Sequence, residues 1–198
     1  MPTNNKPRIL VFAGSTRKDS FNKKLARVAA ESAQKTGAEV TLIDLKDYEM
    51  PLYDGDYEEA QGLPEAASRL RKLFFDHDGL IIATPEYNGS LPAVLKNAID
   101  WLSRKQGDEP PLACFRGKTA LLLAASPGAL GGIRCLAHLN IILSGIQVMV
   151  LPEMKSVPQA HKVFDDQGNL TDQNLQQSLD KLTERLSTVI RSIQATNS

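Results

Sequence analysis

The stretch Thr84-Pro85-Glu86-Tyr87-Asn88-Gly89-Ser90 decides how this chain is read. It follows Asp78-Gly79-Leu80-Ile81-Ile82-Ala83, a short apolar run that reads as a buried strand. It precedes a segment in which Leu91, Val94, Leu95, Ala98, Ile99 and Leu102 recur at helical spacing. A polar turn with an aromatic residue, at the carboxyl end of a strand in an alternating α/β chain, sits where such sheets bind ligands. A second loop of the same kind lies upstream. After Arg8-Ile9-Leu10-Val11-Phe12-Ala13 comes Gly14-Ser15-Thr16-Arg17-Lys18-Asp19-Ser20-Phe21-Asn22, which opens a helix. One loop rich in phosphate ligands and one suited to a planar ring together suggest a mononucleotide.

Working outward, apolar runs at 8–13, 39–43, 79–83, 119–125 and 147–151 predict five strands. Their near-continuous Val, Ile and Leu content suits a parallel sheet covered on both faces. Helical patterns fall at about 21–36, 64–76, 92–104 and 132–144. A final helix carries Leu175, Leu179, Leu182, Leu186, Val189 and Ile193 on one stripe, with Thr171 and Asp172 as caps. Strict alternation predicts a doubly wound three-layer α/β sandwich, because each crossover must be right-handed. The connections 44–63 and 106–117 read as long surface loops, and 153–169 as an extended lead into the last helix.

With 198 residues and 42% hydrophobic content the chain builds one ordinary core, so residues 1–198 are expected to form a single domain. Equal counts of acidic and basic residues, 23 each, argue against a nucleic-acid partner. No apolar span is long enough for a membrane helix, and the amino terminus has no apolar core of a signal peptide. Cys114 and Cys135 are too few for a disulfide framework or a zinc site, so a reduced, cytoplasmic protein is expected. His77, His138 and His161 are scattered without metal spacing, and no metal is expected. Gly117-Lys118-Thr119 resembles the end of a phosphate loop, but position 112 is leucine where that motif needs glycine. No Gly-x-Gly-x-x-Gly follows a strand, which removes a dinucleotide Rossmann site.

In the first loop, a phosphate at the helix amino terminus gains unpaired backbone N–H donors and the positive end of the dipole. Ser15, Thr16, Ser20 and Asn22 add neutral donors, and Arg17 adds a charge-assisted pair. In the second, backbone groups can address a ring's polar edge while Pro85 and Tyr87 supply apolar contact. Asn88 and Ser90 can satisfy remaining polar atoms or cap the following helix. A third loop, Ser126-Pro127-Gly128-Ala129-Leu130-Gly131-Gly132, has glycines that let backbone approach the far side of such a ring. Plain turn punctuation accounts for those glycines equally well.

Taken together, Gly-Ser-Thr-Arg-x-x-Ser-Phe-Asn at 14–22, Pro-Glu-Tyr-Asn-Gly-Ser at 85–90 and Leu-Lys-Asn-Ala-Ile-Asp-Trp at 95–101 resemble the NADPH-dependent FMN reductase family. The resemblance implies a flavodoxin-like fold with a five-stranded parallel sheet in the order 2-1-3-4-5. That order makes the loops after strands one and three neighbours. It further implies FMN as cofactor, held by Ser15, Thr16, Arg17, Ser20, Phe21, Asn22, Pro85, Glu86, Tyr87, Asn88, Ser90, Ser126 and Gly128. NADPH or NADH would be the electron donor, and quinones, azo compounds, free flavin or oxyanions such as chromate the acceptors. Flavin chemistry needs no acid or base side chain, so no catalytic residue is assigned. Ping-pong kinetics follow if donor and acceptor share one stacking surface. Family members form dimers or dimers of dimers. Ile133, Leu136, Leu139, Ile141, Ile142 and Leu143 make the fourth helical pattern apolar on more than one face, in keeping with a homo-oligomer. Two alternatives are a non-enzymatic FMN electron carrier, disfavoured by the balanced charge, and a flavodoxin-like regulatory module without flavin.

Overall fold

The computed structural model describes residues 6–196. A parallel sheet runs in the order β2-β1-β3-β4-β5, formed by β1 (Arg8–Ala13), β2 (Glu39–Asp44), β3 (Gly79–Ala83), β4 (Thr119–Ala125) and β5 (Met149–Val150). Among the described residues six α-helices accompany it: α1 (Phe21–Lys35), α2 (Gly55–Gln61), α3 (Glu65–Asp76), α4 (Ala93–Leu102), α5 (Ile133–Gly145) and α6 (Gln173–Thr196). A further short strand, β6 (Lys155–Val157), pairs with the carboxyl half of β4. This is the flavodoxin-like sandwich the alternation predicts.

Side chains alternate across the strands and so build two cores. Ile9 and Val11 of β1 join Ile81 and Leu121 against α1 and α6, where Leu25, Leu179, Leu186 and Ile190 are buried. Leu10 and Phe12 point the other way, joining Ile82 and Leu122 against α3, α4 and α5 through Phe74, Leu95 and Leu139. The register pairs Ala13 with Ala83, so β1 and β3 end level and their loops emerge side by side, while β4 runs two residues past the Ala83–Leu123 pair to Ala125.

Three departures from the sequence reading have local causes. The expected strand 147–151 is shortened to Met149–Val150. Leu151 N–H donates to Ala120 C=O (2.8 Å), Pro152 has no N–H to continue the ladder, and pairing resumes only at Lys155. The expected extended lead over 153–169 is therefore a strand followed by a single 3-10 turn at Ala160–Lys162. The expected irregular connection 44–63 contains α2, which buries no residue and is started by Asp54, whose carboxylate accepts from Asp56 N–H at 2.8 Å and Tyr57 N–H at 3.3 Å. At α6 the cap is Asp172, which accepts from the N–H groups of Asn174 (2.9 Å) and Leu175 (3.0 Å). Thr171 instead donates its N–H to Val163 C=O.

Candidate functional site

Gly14 starts the first loop and donates its N–H to Ala83 C=O at 2.9 Å, fastening it to the end of β3. A Cβ there would stand 2.9 Å from Leu95 Cδ2 and 3.1 Å from Thr84 Oγ1, so glycine is what lets the loop lie against β3 and α4. Ser15 is buried, and its hydroxyl accepts from Arg17 N–H (3.3 Å). Ser20 caps α1 by accepting from Asn22 N–H (3.2 Å). Among the described residues the N–H groups of Thr16, Lys18 and Asp19 find no protein acceptor, and Arg17 and Lys18 make no ion pair. Unpaired donors, two free cations and a helix amino terminus in one loop make a cradle that fits a phosphate monoester.

Asn22 is buried and turned inward. Its Nδ2 donates to Ala125 C=O at 2.9 Å and its Oδ1 accepts Ala125 N–H at 2.8 Å. The side chain thus acts as one more rung on the end of β4, tying the first turn of α1 to the root of the third loop.

The second loop folds as a two-residue hairpin. Tyr87 and Ser90 exchange backbone hydrogen bonds of 3.0 Å, and Asn88 (φ 51°) and Gly89 (φ 82°) both occupy the left-handed region. Asn-Gly is the pair such a turn selects. The turn leaves the Tyr87 ring 48% exposed, available to a flat ligand. Glu86 faces away from that surface. Its carboxylate accepts from Arg134 Nε (2.7 Å) and Nη2, and from Cys135 N–H (3.3 Å) at the start of α5. Burial opposes ionisation of Glu86, yet the Arg134 guanidinium and the Cys135 N–H hold its carboxyl below the usual carboxylate range. At neutral pH this contact is therefore a charged clasp between loop and helix. Ser90 does not cap α4, which begins at Pro92; its hydroxyl hydrogen-bonds His138 Nδ1 at 3.0 Å, a second tie to α5.

The third loop is propped from behind by β6. Ser126 N–H donates to Val157 C=O (3.1 Å), and Ser126 Oγ accepts Gly128 N–H (3.1 Å). Gly131 (φ 61°) and Gly132 (φ 89°) are required where they stand. Added Cβ atoms would lie 2.6 Å from Pro158 N and 2.7 Å from Ala124 Cβ.

Sequence reasoning missed the groups that hold the loops. Arg134 and His138 grip the second loop, and nothing in a one-dimensional pattern pairs them with Glu86 and Ser90. Asn97 and Trp101, quoted above only as motif members, clamp the segment before α2. Asn97 Nδ2 (2.9 Å) and Trp101 Nε1 (2.8 Å) both donate to Pro51 C=O, and Asn97 Oδ1 accepts Tyr53 N–H (2.8 Å). The clamped segment, with Thr16 and Val94, walls a hollow of ≈ 340 Å³ lined by Leu45, Tyr48 and Met50. Neither thiol is poised as a nucleophile, since burial pushes Cys114 and Cys135 up to about 11.

A parallel 2-1-3-4-5 sheet with a phosphate cradle after β1 and an aromatic hairpin after β3, both at the switch point, defines a flavodoxin-like mononucleotide-binding protein. The chain belongs to the NADPH-dependent FMN reductase family, whose sequence profile matches residues 7–162. It is 39% identical over 183 residues to the quinone reductase of Escherichia coli strain K12, covering 91% of this chain and 92% of that one. It is 37% identical over 186 residues to an NAD(P)H-dependent FMN reductase of Pseudomonas aeruginosa, covering 93% and 95%. Against a 2-hydroxy-1,4-benzoquinone reductase from a Burkholderia species the identity is 33%, covering 93% and 96%. Among solved structures, the flavoenzyme NAD(P)H:(acceptor) oxidoreductase FerB of Paracoccus denitrificans superposes with a TM-score of 0.77 at 28% identity, over 94% of this chain and 98% of FerB. The protein is accordingly an NAD(P)H-dependent reductase with FMN as its cofactor.

Proposed function

We propose that this enzyme takes hydride from NAD(P)H and delivers it to small oxidised acceptors, with quinones the leading class and azo compounds, free flavin and oxyanions such as chromate further members. The observation that carries the reading is the level ending of β1 and β3 at Ala13 and Ala83, which brings the phosphate cradle and the aromatic hairpin together. The names of the Escherichia coli and Burkholderia relatives support a quinone acceptor. When bound, FMN supplies the hydride-transfer chemistry.

The chain supplies binding and orientation. Ser15, Thr16, Arg17 and the N–H groups of the first loop hold the phosphate, with Ser20, Phe21 and Asn22 setting the first turn of α1 against it. Pro85, Tyr87, Asn88 and the backbone at Glu86 address the ring, and Ser126 and Gly128 border its far side. The side chains of Glu86 and Ser90 act through α5, keeping the hairpin in place. No side chain is assigned an acid or base role.

Donor and acceptor occupy one stacking surface in turn, so the kinetics are ping-pong. With NADPH and benzoquinone varied together, double-reciprocal initial-rate lines are expected to run parallel; intersecting lines would contradict a shared site. The outer side of α5 exposes Ile133 (53%) and Ile141 (70%) on one stripe while Leu136, Leu139 and Leu143 face the core, and we read that stripe as a contact between copies of the chain in a homodimer or homotetramer. A solution mass by sedimentation near 21.7 kDa, one chain, would end that part of the proposal. Among the described residues no helix is long and apolar enough to cross a membrane, and both cysteines are free, in keeping with the proposed cytoplasmic setting.

A further inference from the structure

We propose that the opposite pole of the sheet carries a second ligand site, a cavity of ≈ 590 Å³ that takes a small organic anion with an apolar body, its acid group held by Lys118 and Arg116. This pole is where the parallel strands begin, at Gly79 of β3 and Thr119 of β4, so the cavity lies a full strand length from the FMN loops. Gly117-Lys118-Thr119, the sequence that resembles the end of a phosphate loop without completing one, forms part of its wall.

The charges there are unevenly satisfied. Asp78 is filled: it accepts from Arg8 backbone N–H (2.9 Å), from Arg8 Nε (3.3 Å) and Nη2 (3.1 Å), and from Gln194 Nε2 (3.1 Å). Lys118 is different. Only 7% of it is exposed, and the one hydrogen bond of its ammonium among the described residues goes to a neutral carbonyl, that of His77, at 2.5 Å, while Asp78 and Asp76 act on it only as nearby charges without an ion pair. Arg116 likewise contacts a neutral group, donating from Nε to Gln147 Oε1 at 2.9 Å. An ammonium has three donors and a guanidinium five, so most of the donor capacity of both cations is unspent. Burial pushes the Lys118 ammonium below its usual range, and an anion at the cavity would relieve that cost.

The rest of the lining selects the body of the ligand. Ile190 and Ile193 of α6 and the half-exposed Phe75 of α3 share the lining with the cations. At this end α6 presses directly on the sheet, since a Cβ on Gly79 would meet Ile190 Cδ1 at 2.5 Å. Cations together with aliphatic and aromatic side chains in one lining suit a carboxylate carried on a flat or branched hydrocarbon. A bare inorganic anion would leave the apolar side chains uncovered.

The test is a titration of the FMN-loaded, ¹⁵N-labelled full chain with benzoate, with benzamide as the uncharged counterpart of the same shape. Saturable shifts of the Gly79, Gly117, Lys118 and Thr119 amides are expected, with residues 14–22 and 84–90 unmoved. Benzamide should leave all of them in place. Arg116→Gln should weaken benzoate about tenfold, the loss of one charge-assisted contact, and Lys118→Met should abolish it. Arg116 is exposed, so its variant decides the matter even where removal of the buried lysine impairs folding. No saturable shift, shifts confined to the flavin loops, equal binding of benzamide, or unchanged affinity in Arg116→Gln would each overturn the site. The titration runs equally on flavin-free protein, so its outcome is separate from the reading of the FMN site.

Discussion

Replacing Asn22 by alanine is expected to lower the unfolding free energy by about 2–5 kcal/mol. The side chain makes two hydrogen bonds to the backbone of one buried residue, donating to Ala125 C=O and accepting Ala125 N–H. Alanine strands both partners at the end of β4, where the surroundings are apolar and closed, and each unpaired buried group costs roughly 1–3 kcal/mol. The loss reaches the cofactor as well. Asn22 lies in the first turn of α1, whose amino end forms part of the phosphate cradle, and its partner Ala125 precedes Ser126 of the third loop. Two loops that are bolted together become independent. Denaturant unfolding of the flavin-free protein measures the stability term; a change below about 0.5 kcal/mol, the scale of an ordinary surface substitution, would contradict the role.

Arg17→Ala is expected to weaken FMN binding about 10- to 100-fold while leaving the fold unchanged. Arg17 makes no ion pair among the described residues, so nothing in the protein depends on its charge. A charge-assisted bond to phosphate contributes about 1.5–3 kcal/mol, which sets that range. Arg17→Lys should recover part of the loss, because lysine keeps the charge but not the two-pronged geometry. Flavin fluorescence titration reads the affinity, and the effect should shrink as salt is raised. Equal affinity in wild type and Arg17→Ala would remove Arg17 from the phosphate site.

Much of this was legible in the chain, and the reasons are specific. The central strands β1, β3 and β4 declare themselves because each is buried on both faces and so carries an unbroken apolar run; all five residues of β3 and all seven of β4 are buried, whereas the edge strand β2 buries none. The two main loops were legible because their residues are spent locally, as with the cap at Ser20 and the Asn88-Gly89 turn. What escaped depends on distance in sequence or on the absence of a pattern. The Glu86–Arg134 clasp spans 48 positions and the Asn22–Ala125 tie 103, so the fastening role of these two side chains has no signature in one dimension. The α2 helix has no apolar stripe to betray it, and β6, only Lys155–Val157, is strand solely because β4 offers it an edge. Pro152, which cannot donate to the ladder, is the break between the pairing at β5 and the pairing at β6.

Turnover requires a bound flavin that exchanges hydride with a nicotinamide, and one measurement addresses that directly. The purified protein, reconstituted with FMN and freed of excess, is mixed anaerobically with NADPH while its visible spectrum is recorded. The expected result is a yellow protein that releases FMN on denaturation, loses its flavin absorbance within the mixing experiment, and regains it when benzoquinone is added. A protein that retains no FMN, or whose bound FMN stays oxidised under both NADPH and NADH, would contradict it.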